Sequence, residues 1–136
     1  MSRLMSEKDS LMIGNESTEE LQKIINELAS NIGILKVLLV SEEGFPIMNA
    51  RTSEDVELLV SAMSAGIVST ISGATSQLNL GRGFDFIHVQ TPKGLMLISS
   101  VRDTIMVVLT SNDVKLGLIH YLIHKATKKI YNLNRV

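Results

Sequence analysis

Residues 58–80 read LLVSAMSAGIVSTISGATSQLNL and contain no Asp, Glu, Lys or Arg. Apolar residues recur here at helical spacing, so the sequence predicts a long helix with one stripe facing the core. That stripe consists of Val56, Leu59, Val60, Met63, Ile67, Ile71, Ala74 and Leu78. The opposite side carries small neutral residues instead of the Lys and Glu typical of a solvent-facing helix. Because small residues let another backbone come close, we expect a partner chain on that side, most simply a second copy of this protein.

The composition is that of one ordinary globular domain. The chain has 136 residues, of which 45% are hydrophobic and 20% charged, a length and balance that suit a single core. The absence of cysteine excludes disulfides, thiolate nucleophiles and cysteine-based zinc sites. The basic residues are scattered among few aromatic ones, which argues against a nucleic-acid partner.

We expect a cytoplasmic protein without an integral membrane segment. No secretory signal is visible, because residues 1–9 lack an apolar central region. Residues 58–80 are long enough to span a bilayer, but their many Ser and Thr residues favour a soluble helix.

Two segments precede the first predicted strand. Residues 1–17 show no convincing periodicity, and we expect a flexible N-terminal tail there, followed by a single domain over residues 18–136. Ser17 and Glu20 have the spacing of a capping box, which predicts a helix from about Thr18 to Ser30.

Five strands are predicted, at residues 34–40, 45–50, 84–90, 95–100 and 104–110. The first is almost continuously apolar, which is typical of a strand covered on both faces. A turn with Gly44 joins it to the second strand, which Pro46 places at a sheet edge. The long helix follows, with Gly81 as its expected C-terminal cap, and a terminal amphipathic helix ends the chain. The sequence thus predicts an α/β fold of the α+β sandwich type, in the order helix-strand-strand-helix-strand-strand-strand-helix, with one mainly antiparallel five-stranded sheet and helices on its faces.

Few residues suggest catalysis, a cofactor or a metal. We expect no catalytic residues, no cofactor and no metal site. His120 and His124 have a spacing that can bind a metal, but a half-exposed polar helix flank explains them without a metal and is favoured. Gly81-Arg82-Gly83 follows a helix and opens a strand, whereas phosphate-binding glycine loops follow a strand and open a helix. Arg82 could act as an arginine finger toward a GTPase, although most loop arginines are solvated.

The sequence resembles the roadblock / dynein light-chain family over about residues 18–133. The resemblance lies in VLLVSEEGFPI at residues 37–47, the long neutral helix, LGRG at residues 80–83, and the three hairpin-linked strands with a terminal helix that follow. It implies a non-enzymatic, profilin-like roadblock fold whose copies join their sheets edge to edge and pair their long helices.

Family resemblance also implies a role as a platform for small Ras-like GTPases. Some members stimulate GTP hydrolysis, like the bacterial polarity regulator of a gliding-motility GTPase, and others act as scaffolds. We therefore expect a non-catalytic adaptor, either a homodimer or a paralogue heterodimer, that binds a small Ras-like GTPase. A sensor module of the PAS or profilin-like sort, enclosing a small ligand, is the alternative.

The expected contacts fall on the long helix, the turn after it and the next strand. The residues expected to bind the partner are Ser61, Ala65, Ser69, Ser72, Ser76 and Arg82. Those expected at the dimer interface are Ala62, Val68, Gly73, Phe86, Ile87 and Val89.

Overall fold

The computed structural model describes residues 15–133 and has the predicted element order. The elements are α1 (Asn15–Ala29), β1 (Ile34–Ser41), β2 (Pro46–Ala50), α2 (Glu54–Gln77), β3 (Phe86–Thr91), β4 (Gly94–Val101), β5 (Thr104–Thr110) and α3 (Leu116–Leu133). Residues 1–14 of the predicted tail lie outside the described residues.

All five strands form one sheet in the order β2-β1-β5-β4-β3, and each neighbouring pair is antiparallel. β2 therefore lies at one edge, as Pro46 predicts, because proline cannot donate a ladder hydrogen bond. β3 forms the opposite edge. One side of its backbone ladder is thus left open to pairing with another strand.

The larger core lies between the sheet and the pair α1 and α3. Side chains that alternate along the strands, such as Val37 and Leu39 of β1, point to this face. α1 and α3 contribute residues at helical spacing to the same core. Among these, Ile25 of α1 and Ile123 and Ile130 of α3 are buried. The predicted apolar stripe of the terminal helix is confirmed.

The smaller core lies on the other face, beneath α2. Its buried residues are Leu38, Val40, Ile98, Ile105 and Val107. β1 contributes to both cores, which confirms the prediction of a strand covered on both faces.

The β1–β2 turn positions α2 closely. Gly44 has φ +96°, and its N–H donates to the Ser41 carbonyl at 3.0 Å. A Cβ placed on Gly44 would lie 3.3 Å from the Ala65 Cβ and 3.4 Å from the Ala62 Cα. Glycine is therefore favoured here both by its backbone angle and by the approach of α2.

The N-terminus of α1 and the C-terminus of α2 differ from the predicted ones. α1 begins at Asn15, so Ser17 lies inside the helix and not at its cap. α2 ends at Gln77, with Asn79 at φ 59° and the Leu80 N–H donating to the Thr75 carbonyl at 2.8 Å. This is the hydrogen-bond pattern of a Schellman motif, in which Asn adopts the left-handed conformation. Gly81 lies two residues beyond this cap.

Candidate functional site

The inner side of α2 carries serines where the sequence pattern predicts apolar contacts. α2 packs on β1, β2 and β5, and Val60, Ile67 and Val68 are partly buried against the smaller core. Between them Ser61 and Ser64 are 0% exposed, and their hydroxyl oxygens have no hydrogen-bond partner among the described residues. Ser61 was expected to bind a partner. It lies against the sheet instead, because the small side chain lets the helix approach the strands closely.

The outer side of α2 carries large apolar residues. Leu58, Leu59 and Met63 are 51%, 61% and 56% exposed. Leu59, Met63, Ala74 and Leu78 were expected to face the core, and all four are exposed. The predicted stripe spreads over more of the helix than a narrow sheet can cover, so about half of it points to solvent. An exposed apolar surface of this kind typically marks an interaction site.

The C-terminal half of α2 forms an open groove with the following turn. The groove has a volume of about 680 Å³ and is lined by Ser69, Ser72, Gly73, Ser76, Gln77 and Arg82. It brings together four of the residues expected to bind a partner. Ala65, a fifth, is half-buried with its Cβ close to Gly44.

The residues expected at the dimer interface fall into two groups. Ala62, Gly73 and Val89 are exposed, and a Cβ on Gly73 would meet nothing within 4 Å. Val68 and Ile87 are half-buried and pack against the smaller core.

The sixth such residue, Phe86, contacts α3 within its own chain. Its ring stacks on that of His120, with centroids 4.1 Å apart and an interplanar angle of 7°. The His120 Nε2 atom is buried without a hydrogen-bond partner among the described residues. The stack fixes one end of the edge strand to α3. Sequence reasoning missed it, because no local pattern links residues 34 positions apart.

Phe84 also differs from the predicted alternation. A strand over residues 84–90, as the sequence predicts, would alternate and place Phe84 on the same side as Phe86. β3 begins only at Phe86, so the period of two does not extend back to Phe84, which packs toward α2.

Among residues 18–133, two carboxyl groups have clearly shifted pKa values, and neither lies on α2 or β3. The Lys129 ammonium, which donates to Glu27 at 2.9 Å, lowers the pKa of the Glu27 carboxyl. Burial, then the charges of Asp103 and Glu43, raises the pKa of Glu42. Within residues 18–133, no group of three or more His, Asp or Glu side chains could hold a metal ion. The α2 surface offers apolar side chains, hydroxyls and one guanidinium, which are groups suited to binding a protein.

By length and composition alone, α2 is apolar enough to cross a membrane. This is weak evidence, since helices of soluble proteins pass the same criterion. Here the helix packs on β1, β2 and β5 of the sheet, with Ser61 and Ser64 buried.

Several solved structures have the same fold. Myxococcus xanthus MglB is 21% identical with a TM-score of 0.81, over 90% of this chain and 92% of that one. A Roadblock/LC7 domain from Streptomyces avermitilis is 16% identical with a TM-score of 0.77, over 82% and 94% of the two chains. An MglB described in a tetrameric arrangement is 13% identical with a TM-score of 0.81, over 91% and 94%.

At these identities the structural likeness shows the fold alone. No curated protein matches the sequence. The model of the Roadblock/LC7 domain family matches residues 20–110, more than half of the chain. The resemblance inferred from the VSEEGFP turn, the neutral helix and the LGRG segment is thereby confirmed, and this chain belongs to the Roadblock/LC7 domain family.

Proposed function

We propose that this protein is a non-catalytic dimeric adaptor that binds a small Ras-like GTPase and either scaffolds it or modulates its GTP hydrolysis. The dimer consists of two copies or of this chain with a paralogue. The observation that carries the proposal is the outer side of α2, where Leu58, Leu59 and Met63 are exposed on a helix without a charge between residues 58 and 77.

Self-association through α2 and β3 follows from two features. The exposed Leu and Met side chains lose contact with water when a second helix covers them, which stabilises a dimer by roughly 25 cal/mol per Å² of apolar area. β3 offers a backbone edge without a paired strand at the end of the sheet opposite β2. A two-fold dimer built on both would place two copies of the α2 groove side by side.

The GTPase partner is proposed from family membership. A GTPase docking on the groove would meet the hydroxyls of Ser69, Ser72 and Ser76 and the guanidinium of Arg82. Such a surface binds by shape and hydrogen bonds, and a few well-packed contacts would dominate the affinity.

Self-association is tested by replacing exposed residues of α2 with arginine. Met63→Arg and Ser69→Arg should shift the mass in native mass spectrometry and light scattering from dimer to monomer. Leu118→Arg is the matched control, because Leu118 is 54% exposed on α3, in the other layer. Ala65→Glu should also break the interface. It is the less specific variant, because Ala65 lies close to Gly44 and a larger side chain there would also disturb the packing of α2.

Circular dichroism must show that the variants are folded. A parent protein that is a monomer would overturn the dimer, and a monomer that carries a bound small molecule would favour the sensor alternative. If Met63→Arg and Ser69→Arg stay dimeric, the interface lies elsewhere.

GTPase binding is tested with small Ras-like GTPases captured from the source cell, purified, and loaded with GTP. We expect binding to the parent and at least a tenfold loss with Ser72→Arg or Arg82→Glu. Hydrolysis measured with and without the protein separates modulation from scaffolding. Purified GTPases that bind the parent and both variants equally would overturn this site.

A further inference from the structure

A second groove lies between the β4–β5 turn and the end of α3, on the sheet face opposite α2. Its volume is about 310 Å³. The lining residues are Ser100, Val101, Arg102, Thr127, Lys128, Tyr131 and Asn132. Two are cations and none is a carboxylate, so the groove has a positive charge.

Arg102 is held in this groove by its backbone and by its side chain. Its φ of 57° lies in the left-handed region, which costs an L-residue roughly 1 kcal/mol. The guanidinium carbon lies 4.3 Å from the centre of the Tyr131 ring, and one NH2 group donates to the Tyr131 carbonyl at 3.5 Å. A guanidinium has five N–H donors. Most of them remain available to a ligand.

The β4–β5 turn carries two charged residues, Arg102 and Asp103, and only Arg102 lines the groove. Asp103 follows Arg102 directly, but its charge acts on Glu42 of the β1–β2 turn, whose pKa it helps to raise. Asp103 is not part of the groove lining. Among residues 18–133, neither Arg102 nor Lys128 forms an ion pair, whereas the neighbouring Lys129 is paired with Glu27.

A structural role alone would also place cations here. Both side chains lie near the C-terminus of α3, where the helix dipole favours positive charge. That role requires no ligand, and it predicts that added anions bind no better to the parent than to a variant without these charges.

We propose that this groove binds a phosphomonoester group of a small soluble molecule. A phosphomonoester carries between one and two negative charges near pH 7 and has three acceptor oxygens. The two cations match this charge, and the fork of Arg102 matches the spacing of two phosphate oxygens. Ser100 and Asn132 add neutral donors to the lining of the groove. A single carboxylate would leave one of the two cations unpaired.

The test is an NMR titration of the full chain with inorganic phosphate and with glycerol phosphate, at constant ionic strength set by chloride. We expect saturable shifts of backbone amides at residues 100–104 and 127–132. Arg102→Gly and Lys128→Gln should each weaken binding at least tenfold. Glycine suits the φ of residue 102, so Arg102→Gly removes the guanidinium without backbone strain.

Lys125→Gln is the matched control, since Lys125 is exposed on the same helix and lines a different cleft. It should bind phosphate as the parent does. Equal binding by the parent, Arg102→Gly and Lys128→Gln would overturn the proposal, as would the absence of saturation. Binding only to vesicles containing phosphoinositides, with none to the soluble esters, would also overturn it. The proposed GTPase site on α2 plays no part in this test.

Discussion

The two faces of the sheet are covered in opposite ways. On one face, α1 and α3 bury large residues such as Leu21, Ile25 and Ile123, and their polar residues face water. On the other face, α2 turns Ser61 and Ser64 toward the strands and exposes Leu59 and Met63. The first face is a completed core. On the second face, the large apolar side chains Leu58, Leu59 and Met63 of α2 are exposed, which is why we place the interaction surface there.

The largest effect is expected from breaking the completed core. Ile123→Ala should lower the free energy of unfolding by roughly 2–5 kcal/mol, because Ile123 is only 1% exposed and its truncation leaves a cavity. Urea denaturation at fixed protein concentration measures this change. Leu118→Ala, on the exposed side of the same helix, should change it by less than about 0.5 kcal/mol. Similar losses in both variants would mean that the two sides of α3 are not distinct.

A substitution on the inner side of α2 should stabilise the protein instead. Ser64→Ala should raise the free energy of unfolding by roughly 1 kcal/mol, because it removes a buried hydroxyl that has no hydrogen-bond partner. Ser69→Ala is the matched control: it gains the same helix propensity on the exposed side of α2. The difference between the two variants isolates the buried hydroxyl. A destabilised Ser64→Ala would show that this hydroxyl has a partner in solution.

The same contrast explains how far the sequence could predict the structure. Along α1 and α3, helical periodicity identifies the buried apolar residues, including Ile119 and Ile130, although α3 also exposes Leu118. The burial of β1 on both faces, the edge position of β2 and the glycine turn at Gly44 were also predictable, since each depends on local composition or on a backbone angle.

On α2 periodicity fails, because the helix is apolar or neutral on every side. Hydrophobic periodicity then cannot decide whether the side with Leu59 or the side with Ser61 faces the core. What decides the orientation is the close approach of the helix to Gly44 and to β1, a contact between segments distant in sequence. Four residues predicted to bind a partner, Ser69, Ser72, Ser76 and Arg82, line one groove, and their role stays a prediction. Ser61 was assigned to the same surface but is buried. The groove at Arg102 went unnoticed, because its residues come from a turn and from a helix 25 residues further on.

The smallest effect is expected at the rim of the completed core, where Lys129 of α3 is paired with Glu27 of α1 at 2.9 Å. The hydrogen bond and charge of Lys129 lower the pKa of Glu27 below its ordinary 4.5. A carboxyl with a lowered pKa stabilises the fold above its ordinary pKa, and that contribution is lost as the pH falls through the lowered value. Lys129→Gln should therefore raise the pKa of Glu27 in a carboxyl NMR titration. Its small deficit in stability at neutral pH should vanish in acid.

Lys128→Gln provides the comparison, because Lys128 is the adjacent exposed lysine and does not contribute to the shift of Glu27. An unchanged Glu27 pKa in Lys129→Gln would mean that the pair does not form in solution. Because both groups are exposed, solvent screens their attraction, and even a complete loss should stay well below the effect of Ile123→Ala. The α1/α3 layer is thus held by what it buries. Its surface charges contribute little to stability, so a residue such as Lys128 can serve another role, like the one proposed for it together with Arg102 of the β4–β5 turn.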